Sequence, residues 1–180
     1  EPLPPQHGFP LRLVVPGWYG MTSVKWLTDI TALAEPFTGY QMVGSYRYSQ
    51  SADDPGEPVT RMRPRALMVP PGIPDFATRT RVVKAGRVTI QGRAWAGRAA
   101  IERVEVSTDQ GATWAEATLD PPVSPVAWCG WRYEWDARPG RHTLAVRATT
   151  ADGETQPLTP PWTYQGMGNN VVQTVDVIVL

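Results

Sequence analysis

Three ionisable side chains near the start of the chain are of types suited to binding an anion. His7 is followed by Gly8, and Arg12 and Lys25 flank a Pro16-Gly17 pair. Arginine offers a forked set of N–H donors, lysine offers a point charge, and backbone amides at glycine-marked turns add further donors. This set predicts a site for phosphate or another anionic group. The alternative is that Arg12 and Lys25 are solvated surface charges and His7 is a loop residue, since basic residues are common on surfaces.

The order and spacing of this segment resemble those of the sulfite oxidase family of molybdenum enzymes, near the end of the cofactor domain. The family pattern there is His-Gly-x-Pro-x-Arg, a Pro-Gly turn, then Gly and Val-Lys-Trp. This chain carries the pattern at His7, Gly8, Pro10, Arg12, Pro16, Gly17, Gly20, Val24, Lys25 and Trp26. The resemblance implies molybdenum-molybdopterin as the cofactor of the complete protein. It implies contacts to the pterin and phosphate from His7, Arg12, Ser23, Val24 and Lys25.

Two departures from the family pattern bear on what this chain can do. Family members bind molybdenum through a cysteine thiolate upstream in the cofactor domain, and the only cysteine here is Cys129. No metal ligand is therefore assigned. The family's active-site tyrosine is matched by Tyr46, although Tyr40 or Tyr48 fits the alignment equally. Gln165 stands where sulfite-oxidising members carry an arginine, and it lacks the fixed positive charge that holds a dianion such as sulfite.

These departures set the expected roles at the reacting centre. The resemblance makes Tyr46 the catalytic candidate and Gln165 the substrate-binding candidate. It also argues against sulfite as the substrate and for a sulfite-oxidase-like protein with a different one.

The elements that must position these residues change character along the chain. From Arg87 onwards, short segments alternate apolar and polar residues between turns marked by glycine or proline, without helical periodicity. The predicted strands are Arg87–Trp95, Ile101–Ser107, Ala112–Leu119, Trp128–Trp135, His142–Thr149 and Val171–Leu180. Their spacing predicts two packed antiparallel sheets. The expected fold class is mainly β: an immunoglobulin-like antiparallel β-sandwich preceded by a short tail of an α+β cofactor domain.

The segments before the sandwich are less regular. Ser23–Leu33 could begin a short helix, although Ile30–Leu33 would also suit a strand, and we favour the strand. Ser49–Pro74 is rich in proline, glycine and charge, which predicts a long ordered connector. The expected domains are residues 1–48, the end of a molybdopterin-binding domain, and residues 49–180, the connector plus an immunoglobulin-like dimerisation domain.

Aromatic residues and the cysteine in the sandwich have plain structural interpretations. Tryptophans at alternating strand positions usually supply a core or an interface rather than a ligand platform. The tryptophans in question are Trp114, Trp128, Trp131 and Trp135. Cys129 is expected to be a small buried or half-buried thiol.

Composition narrows the classes of partner. The chain of 180 residues has 17 basic and 17 acidic side chains, so no net field attracts nucleic acid. No apolar run is long enough to cross a bilayer, which predicts no membrane segment in this chain. A start without methionine suggests a piece of a longer protein.

Two functions of different class follow. The first is the C-terminal fragment of a sulfite-oxidase-like, molybdopterin-dependent oxidoreductase, which adds cofactor contacts and a dimer interface and is inactive alone. The second is a non-catalytic immunoglobulin-like interaction module. The segment His7–Trp26 discriminates between them, because a pure sandwich module does not need it. A homodimer and an upstream cofactor domain are the expected partners, and the valine-rich face near the C-terminus is the expected contributor to the dimer.

Overall fold

A computed structural model describes all residues of the chain, 1–180. They form two compact units. The first comprises Glu1–Met62 with Pro161–Asn169, and the second comprises Arg63–Pro160 with Asn170–Leu180. No helix in either unit has both the length and the apolar character needed to span a membrane.

The first unit contains little regular structure. Its helical turns are the 3-10 turns Pro5–His7 and Gly20–Thr22 and the π-helical turn Gln41–Ser45. Strand β1, Arg47–Tyr48, pairs antiparallel with β2, Glu57–Pro58. The strand favoured at Ile30–Leu33 is wrong, and so is the helix considered from Ser23, because the stretch 23–33 forms neither element. Most of its side chains are exposed, so no buried face selects a regular periodicity.

The second unit is a sandwich of two sheets. Its strands are β3 Arg65–Val69, β4 Ile73–Pro74, β5 Arg81–Val83, β6 Gly86–Trp95, β7 Ile101–Ser107, β8 Ala115–Glu116, β9 Thr118–Leu119, β10 Cys129–Ala137, β11 Gly140–Thr150 and β12 Gln173–Val179. One sheet has the order β3-β6-β10-β9 and the other the order β4-β5-β12-β11-β7-β8. The predicted mainly β sandwich is confirmed, with one parallel pair, β5 with β12, that the prediction did not include.

The core of the sandwich lies between its two sheets and is lined by the longest strands. Ile90 on β6 is fully buried between exposed Thr89 and Gln91, whereas on β11 Leu144, Ala145 and Val146 are all buried. Val177 and Val179 on β12 pack into the same core. The valine-rich face expected to contribute to a dimer is therefore occupied within the chain, because burying it in the sandwich stabilises the fold.

Strand β3 lies inside the stretch predicted to be a connector. Ala66 and Met68 are 0% and 3% exposed, and β3 pairs with β6 over its whole length. This part of the connector prediction is wrong. The strand is only five residues long and prolines lie on both sides of it, so its alternation is weak against the surrounding turn signals.

Two glutamine side chains close the outer edge of β3. Gln156, which is 3% exposed, accepts hydrogen bonds of 2.6 and 3.0 Å from the amides of Ala66 and Ala148. Gln173 accepts one of 2.6 Å from the amide of Met68. These bonds satisfy N–H groups that an edge strand would otherwise offer to another chain.

The predicted hairpin after β7 is confirmed in its first half and changes sheet in its second. Val106 on β7 faces Ala115 on β8 across the turn. The chain then bends at buried Ala117, and β9 joins the other sheet, where Leu119 faces Trp131. The single predicted strand Ala112–Leu119 is thus two short strands that link the two sheets.

The tryptophans divide between core and surface. Trp131 and Trp135 are 2% and 5% exposed, as predicted for core residues. Trp128 is 61% exposed and stacks on Trp95 with 4.9 Å between ring centroids. Trp114 is half-buried.

Cys129 is half-buried at the start of β10, as predicted. Its thiol donates to the carbonyl oxygen of Ala94 at 3.6 Å, and burial raises its pKa. The sulfur is therefore a protonated thiol at neutral pH.

Candidate functional site

A tight turn carries His7 and brings it next to Lys25. The amide of His7 donates to the carbonyl oxygen of Pro4 at 2.9 Å, and that of Gly8 to Pro5 at 3.0 Å. Gly8 has a φ of +113°, and a Cβ built there would lie 3.1 Å from the Cα and Cβ of Lys25. Only glycine both adopts this backbone conformation cheaply and leaves room for the approach.

Two extended segments lie side by side behind this turn. The amide of Leu13 donates to the carbonyl oxygen of Val24 at 2.9 Å, and the amide of Leu27 donates to Leu11 at 2.9 Å. This pairing places the segment that carries Arg12 against the segment that carries Lys25. The structure therefore brings together the three ionisable residues that the sequence separates by up to 18 positions.

The two cations at this place have no acidic partner. Arg12 Nη1 donates to the carbonyl oxygen of His7 at 3.2 Å, and Lys25 Nζ donates to that of Gln6 at 2.8 Å. Neither side chain takes part in an ion pair. Their positive charges are therefore not neutralised within the chain, although both side chains are held in place.

Further hydrogen-bond donors near these two cations have no acceptor within the chain. Ser23 Oγ accepts a hydrogen bond from the amide of Val15 at 3.4 Å, which leaves its hydroxyl proton unused within the chain. The backbone N–H groups of Val24 and Lys25 also donate no hydrogen bond within the chain. Free N–H groups beside uncompensated cations suit an anion such as a phosphate. The residues present therefore fit the anionic part of molybdopterin.

Tyr46 lines a small cavity in the first unit. It follows the turn Gln41–Ser45, and its carbonyl oxygen accepts a 2.9 Å hydrogen bond from the amide of Val59. The cavity has a volume of about 280 Å³ and is lined by Tyr19, Met21, Tyr46, Val59, Met167 and Gly168. Of the three tyrosines that the alignment allows, Tyr46 is the one in this lining.

Gln165 lies beside the cavity but is not part of its lining. It belongs to the loop Pro161–Asn169, and its Nε2 donates to the carbonyl oxygen of Gly44 at 3.1 Å. The amide of Tyr164 donates to Ser49 at 2.8 Å and fixes the same loop. The structure thus brings Gln165 near the segment that carries Tyr46, with its amide engaged by the backbone.

Four apolar or aromatic residues of the cavity were missed by sequence reasoning. They are Tyr19, Met21, Val59 and Met167. The one local signal is the Gly-Met-Gly run at 166–168, in which both glycines have positive φ. Thr163 Oγ1 donates to the carbonyl oxygen of Met167 at 3.1 Å and holds that run in its turn.

The backbone around the cavity is well tied. The amide of Tyr19 donates to the carbonyl oxygen of Thr60 at 3.0 Å, and that of Met62 to Gly17 at 2.9 Å. Thr22 Oγ1 donates to Tyr19 at 2.9 Å. Met21, which lines the cavity, comes just before Ser23–Lys25 in the sequence, so the cavity and the cation cluster are neighbours along the chain.

Comparison with known protein families finds two matches. Residues 1–41 match the Oxidoreductase molybdopterin binding domain, and residues 73–179 match the Mo-co oxidoreductase dimerisation domain. Together these matches cover the segment with the cation cluster and most of the sandwich.

Individual relatives agree with these matches. The mitochondrial sulfite oxidases of Macaca fascicularis and Homo sapiens are 33% identical over 195 residues, which is 99% of this chain and 35% of each relative. Nitrate reductase [NADH] 1 of Oryza sativa subsp. japonica is 30% identical over 191 residues, covering 94% of this chain and 21% of the relative. The chain thus spans about a third of the length of the sulfite oxidases it matches.

A solved structure is similar over nearly the whole chain. The sulfane dehydrogenase SoxCD from Paracoccus pantotrophus superposes with a TM-score of 0.83 at 26% sequence identity. The match covers 96% of this chain and 44% of that one.

Proposed function

Because this chain belongs to the family of the Mo-co oxidoreductase dimerisation domain and corresponds to the C-terminal portion of a sulfite oxidase-type protein, we propose that it completes the cofactor site of a larger molybdopterin-dependent oxidoreductase and joins two copies of it. Residues 1–48 are the end of the molybdopterin-binding domain in this proposal. Residues 49–180 are the connector and the immunoglobulin-like dimerisation domain.

The observation that carries the proposal is the uncompensated cation cluster with free backbone donors beside it. His7, Arg12 and Lys25 would hold the anionic part of the cofactor, with Ser23 and Val24 donating from the hydroxyl and the backbone. When bound, molybdenum in molybdopterin supplies oxygen-atom exchange between water and substrate, with two electrons passed to an external acceptor. The role of this chain is to bind and orient that group.

The isolated chain is inactive in this proposal. His7 and Lys25 are exposed and Arg12 is half-buried, so the cluster would contact the cofactor from one side only, and affinity in ligand sites comes from burying most of the ligand surface. The chain's single cysteine, Cys129, is a protonated thiol in the sandwich, and it is far in sequence from His7, Arg12 and Lys25. Metal binding therefore needs residues that this chain does not supply.

Tyr46 and Gln165 are proposed to act on the substrate side. Tyr46 lines the cavity, where its side chain can contact a bound substrate. Gln165 fixes the loop that carries Met167, since its amide is bonded to the backbone of Gly44.

The experiment compares this chain with the longest version that its source encodes. Molybdenum is measured by elemental analysis and pterin by fluorescence after oxidation, in cells able to make the cofactor. We expect both in the longer form and neither in this chain. Arg12→Gln and Lys25→Gln in the longer form should lower the pterin retained per protein, because each removes one uncompensated charge.

Arg98→Gln is the matched control, because Arg98 is an exposed arginine of the sandwich that pairs with Asp152 at 3.1 Å. It should leave the pterin content unchanged. If the longer form holds neither molybdenum nor pterin, the oxidoreductase proposal fails. The independent core of the sandwich then favours the non-catalytic interaction module.

A further inference from the structure

The cavity beside Tyr46 has an uncharged and largely apolar lining. Two methionines, two tyrosines, a valine and a glycine form it, and no lysine, arginine, histidine, aspartate or glutamate takes part. Its volume of about 280 Å³ is close to the lower end of small-ligand sites, roughly 300 Å³. The wall therefore offers dispersion contacts to a small molecule and no fixed charge.

We propose that this cavity binds a small uncharged organosulfur substrate, such as a thioether or sulfoxide, rather than an oxyanion. The inference rests on the proposed function in one respect only, namely that the molecule bound here is the substrate of the complete enzyme. The binding preference itself depends on the lining.

Charge is the first reason. Moving a dianion from water into a site costs much free energy unless cations or several donors replace its hydration shell. Arg47, the arginine next to Tyr46, has a guanidinium that already donates to the carbonyl oxygens of Met42 at 2.9 Å and Gly56 at 2.7 Å, and to that of Pro55. It is held as a structural brace by these three carbonyls.

Gln165, near the cavity, does not supply the missing positive charge either. Gln165 Nε2 is engaged by the carbonyl oxygen of Gly44 at 3.1 Å, and the side chain carries no charge. An oxyanion in the cavity would therefore meet at most single neutral donors, which do not replace its hydration.

Polarisability is the second reason. Met21 and Met167 belong to the same lining as Tyr19 and Tyr46. Methionine sulfur and aromatic rings make favourable contacts with soft groups, and methionine adapts its shape to them. A neutral sulfur compound matches this lining in both charge and softness.

The lining is also held in position before any ligand binds. The carbonyl oxygen of Met167 accepts a hydrogen bond from Thr163, and Gly168, at φ +65°, leaves no room for a Cβ beside the ring of Tyr48. Val59 is 3% exposed and bonded to Tyr46. Little conformational entropy is therefore lost on binding.

The test uses the chain labelled with ¹³C at its methionine methyl groups. The five methionines give one signal each: Met21 and Met167 report on the cavity, and Met68 in the sandwich core is the internal control. Tetrahydrothiophene 1-oxide is the neutral probe and sulfate is the dianion, at matched ionic strength. We expect the sulfoxide to shift the Met21 and Met167 signals saturably without moving Met68, and sulfate to bind at least roughly tenfold more weakly.

A substitution in the lining distinguishes binding in the cavity from binding elsewhere on the surface. Met21→Trp fills the cavity and should abolish the sulfoxide-induced shift of Met167, while an unchanged Met68 signal reports an intact sandwich. Sulfate that shifts the Met21 and Met167 signals at concentrations as low as the sulfoxide does, or a sulfoxide that moves none of the signals or all of them equally, would overturn the proposal in the unmodified chain. These measurements need no cofactor. If the longer form never retains pterin and the sulfoxide still binds, the proposed function and the role of this ligand as a substrate are refuted, while the binding preference of the cavity stands.

Discussion

Gly8 controls how closely the turn that carries His7 can approach Lys25. Its φ of +113° is unfavourable for any residue with a Cβ, and that Cβ would also lie 3.3 Å from the Cβ of Arg12. Gly8→Ala should therefore lower the free energy of unfolding of the first unit by about 1–2 kcal/mol. Urea unfolding followed by tryptophan fluorescence measures the change.

Gly20→Ala is the control for this prediction. Gly20 lies in the same unit, has no positive φ, and has no atom within 4 Å of a built Cβ. Its substitution should change stability by much less. Equal effects of the two substitutions would mean that the approach of the turn to Lys25 is not what makes Gly8 necessary.

Glu105 gives the sandwich a pH-dependent contribution. Arg147 donates to its carboxylate at 2.9 and 3.0 Å, and this hydrogen bonding is the main reason that the pKa of Glu105 is below its usual value. A depressed folded-state pKa contributes stability that is present above the unfolded pKa, about 4.3, and is lost as pH falls through the folded one.

Glu105→Gln should therefore destabilise the sandwich by about 1–2 kcal/mol at pH 7. The difference from the unmodified chain should shrink below about pH 4, where the carboxyl of the unmodified chain also becomes protonated. Urea unfolding at several pH values measures it. Glu102→Gln, at an exposed position in the same strand without an ion pair, should show no such trend, and a pH-independent Glu105→Gln effect would contradict the explanation.

At the scale of elements, β3 is the clearest case of a strand that local sequence hides. Met68→Ala should cost about 2–4 kcal/mol of unfolding free energy, because Met68 is 3% exposed and its removal leaves a cavity in the core. Val69→Ala, in the same strand at a position 62% exposed, should cost less than about 1 kcal/mol. Equal costs would mean that β3 does not pack as a core strand.

The outer edges of the two sheets differ in whether side chains of the same chain cover them. Glutamine side chains close the outer edge of β3, whereas β4 is an outer strand of the six-stranded sheet and carries exposed Ile73. The turn after β4 holds Phe76 at 86% exposure. Asp75 fixes this turn by accepting two hydrogen bonds of 2.7 Å from Thr78. An ordered apolar loop tip at a sheet edge is typical of an interface.

At the scale of the whole molecule, the proposed homodimer is open to direct measurement. Residues 73–179 match a dimerisation domain, and Ile73 and Phe76 are exposed apolar residues at a sheet edge within that range, so we expect a second copy of the chain to cover them. Phe76→Asp should convert the dimer to a monomer in light scattering coupled to size-exclusion chromatography, because a charge there would be desolvated at the interface.

Val123→Asp is the matched control, since Val123 is 90% exposed elsewhere in the sandwich. It should leave the dimer intact. A dimer that survives Phe76→Asp would refute this surface, and an unmodified chain that is monomeric at all concentrations would refute the homodimer itself.

The sequence by itself determined the mainly β fold, the family, and the set of cation-cluster residues. Strands β6, β7, β10, β11 and β12 were predictable because each is long enough for its apolar and β-branched residues to stand out between turn signals in the sequence. The motif around His7 was recognisable because glycine and proline there meet strict backbone requirements.

Only the tertiary structure decided which residues meet. Met167 and Tyr46 are 121 positions apart and share a cavity because hydrogen bonds of the loop Pro161–Asn169 hold it against the segment that follows Gln41–Ser45. The short strand β3 is selected by its pairing with β6 and by glutamine side chains from distant parts of the chain. Such contacts depend on long-range packing, which local periodicity does not encode.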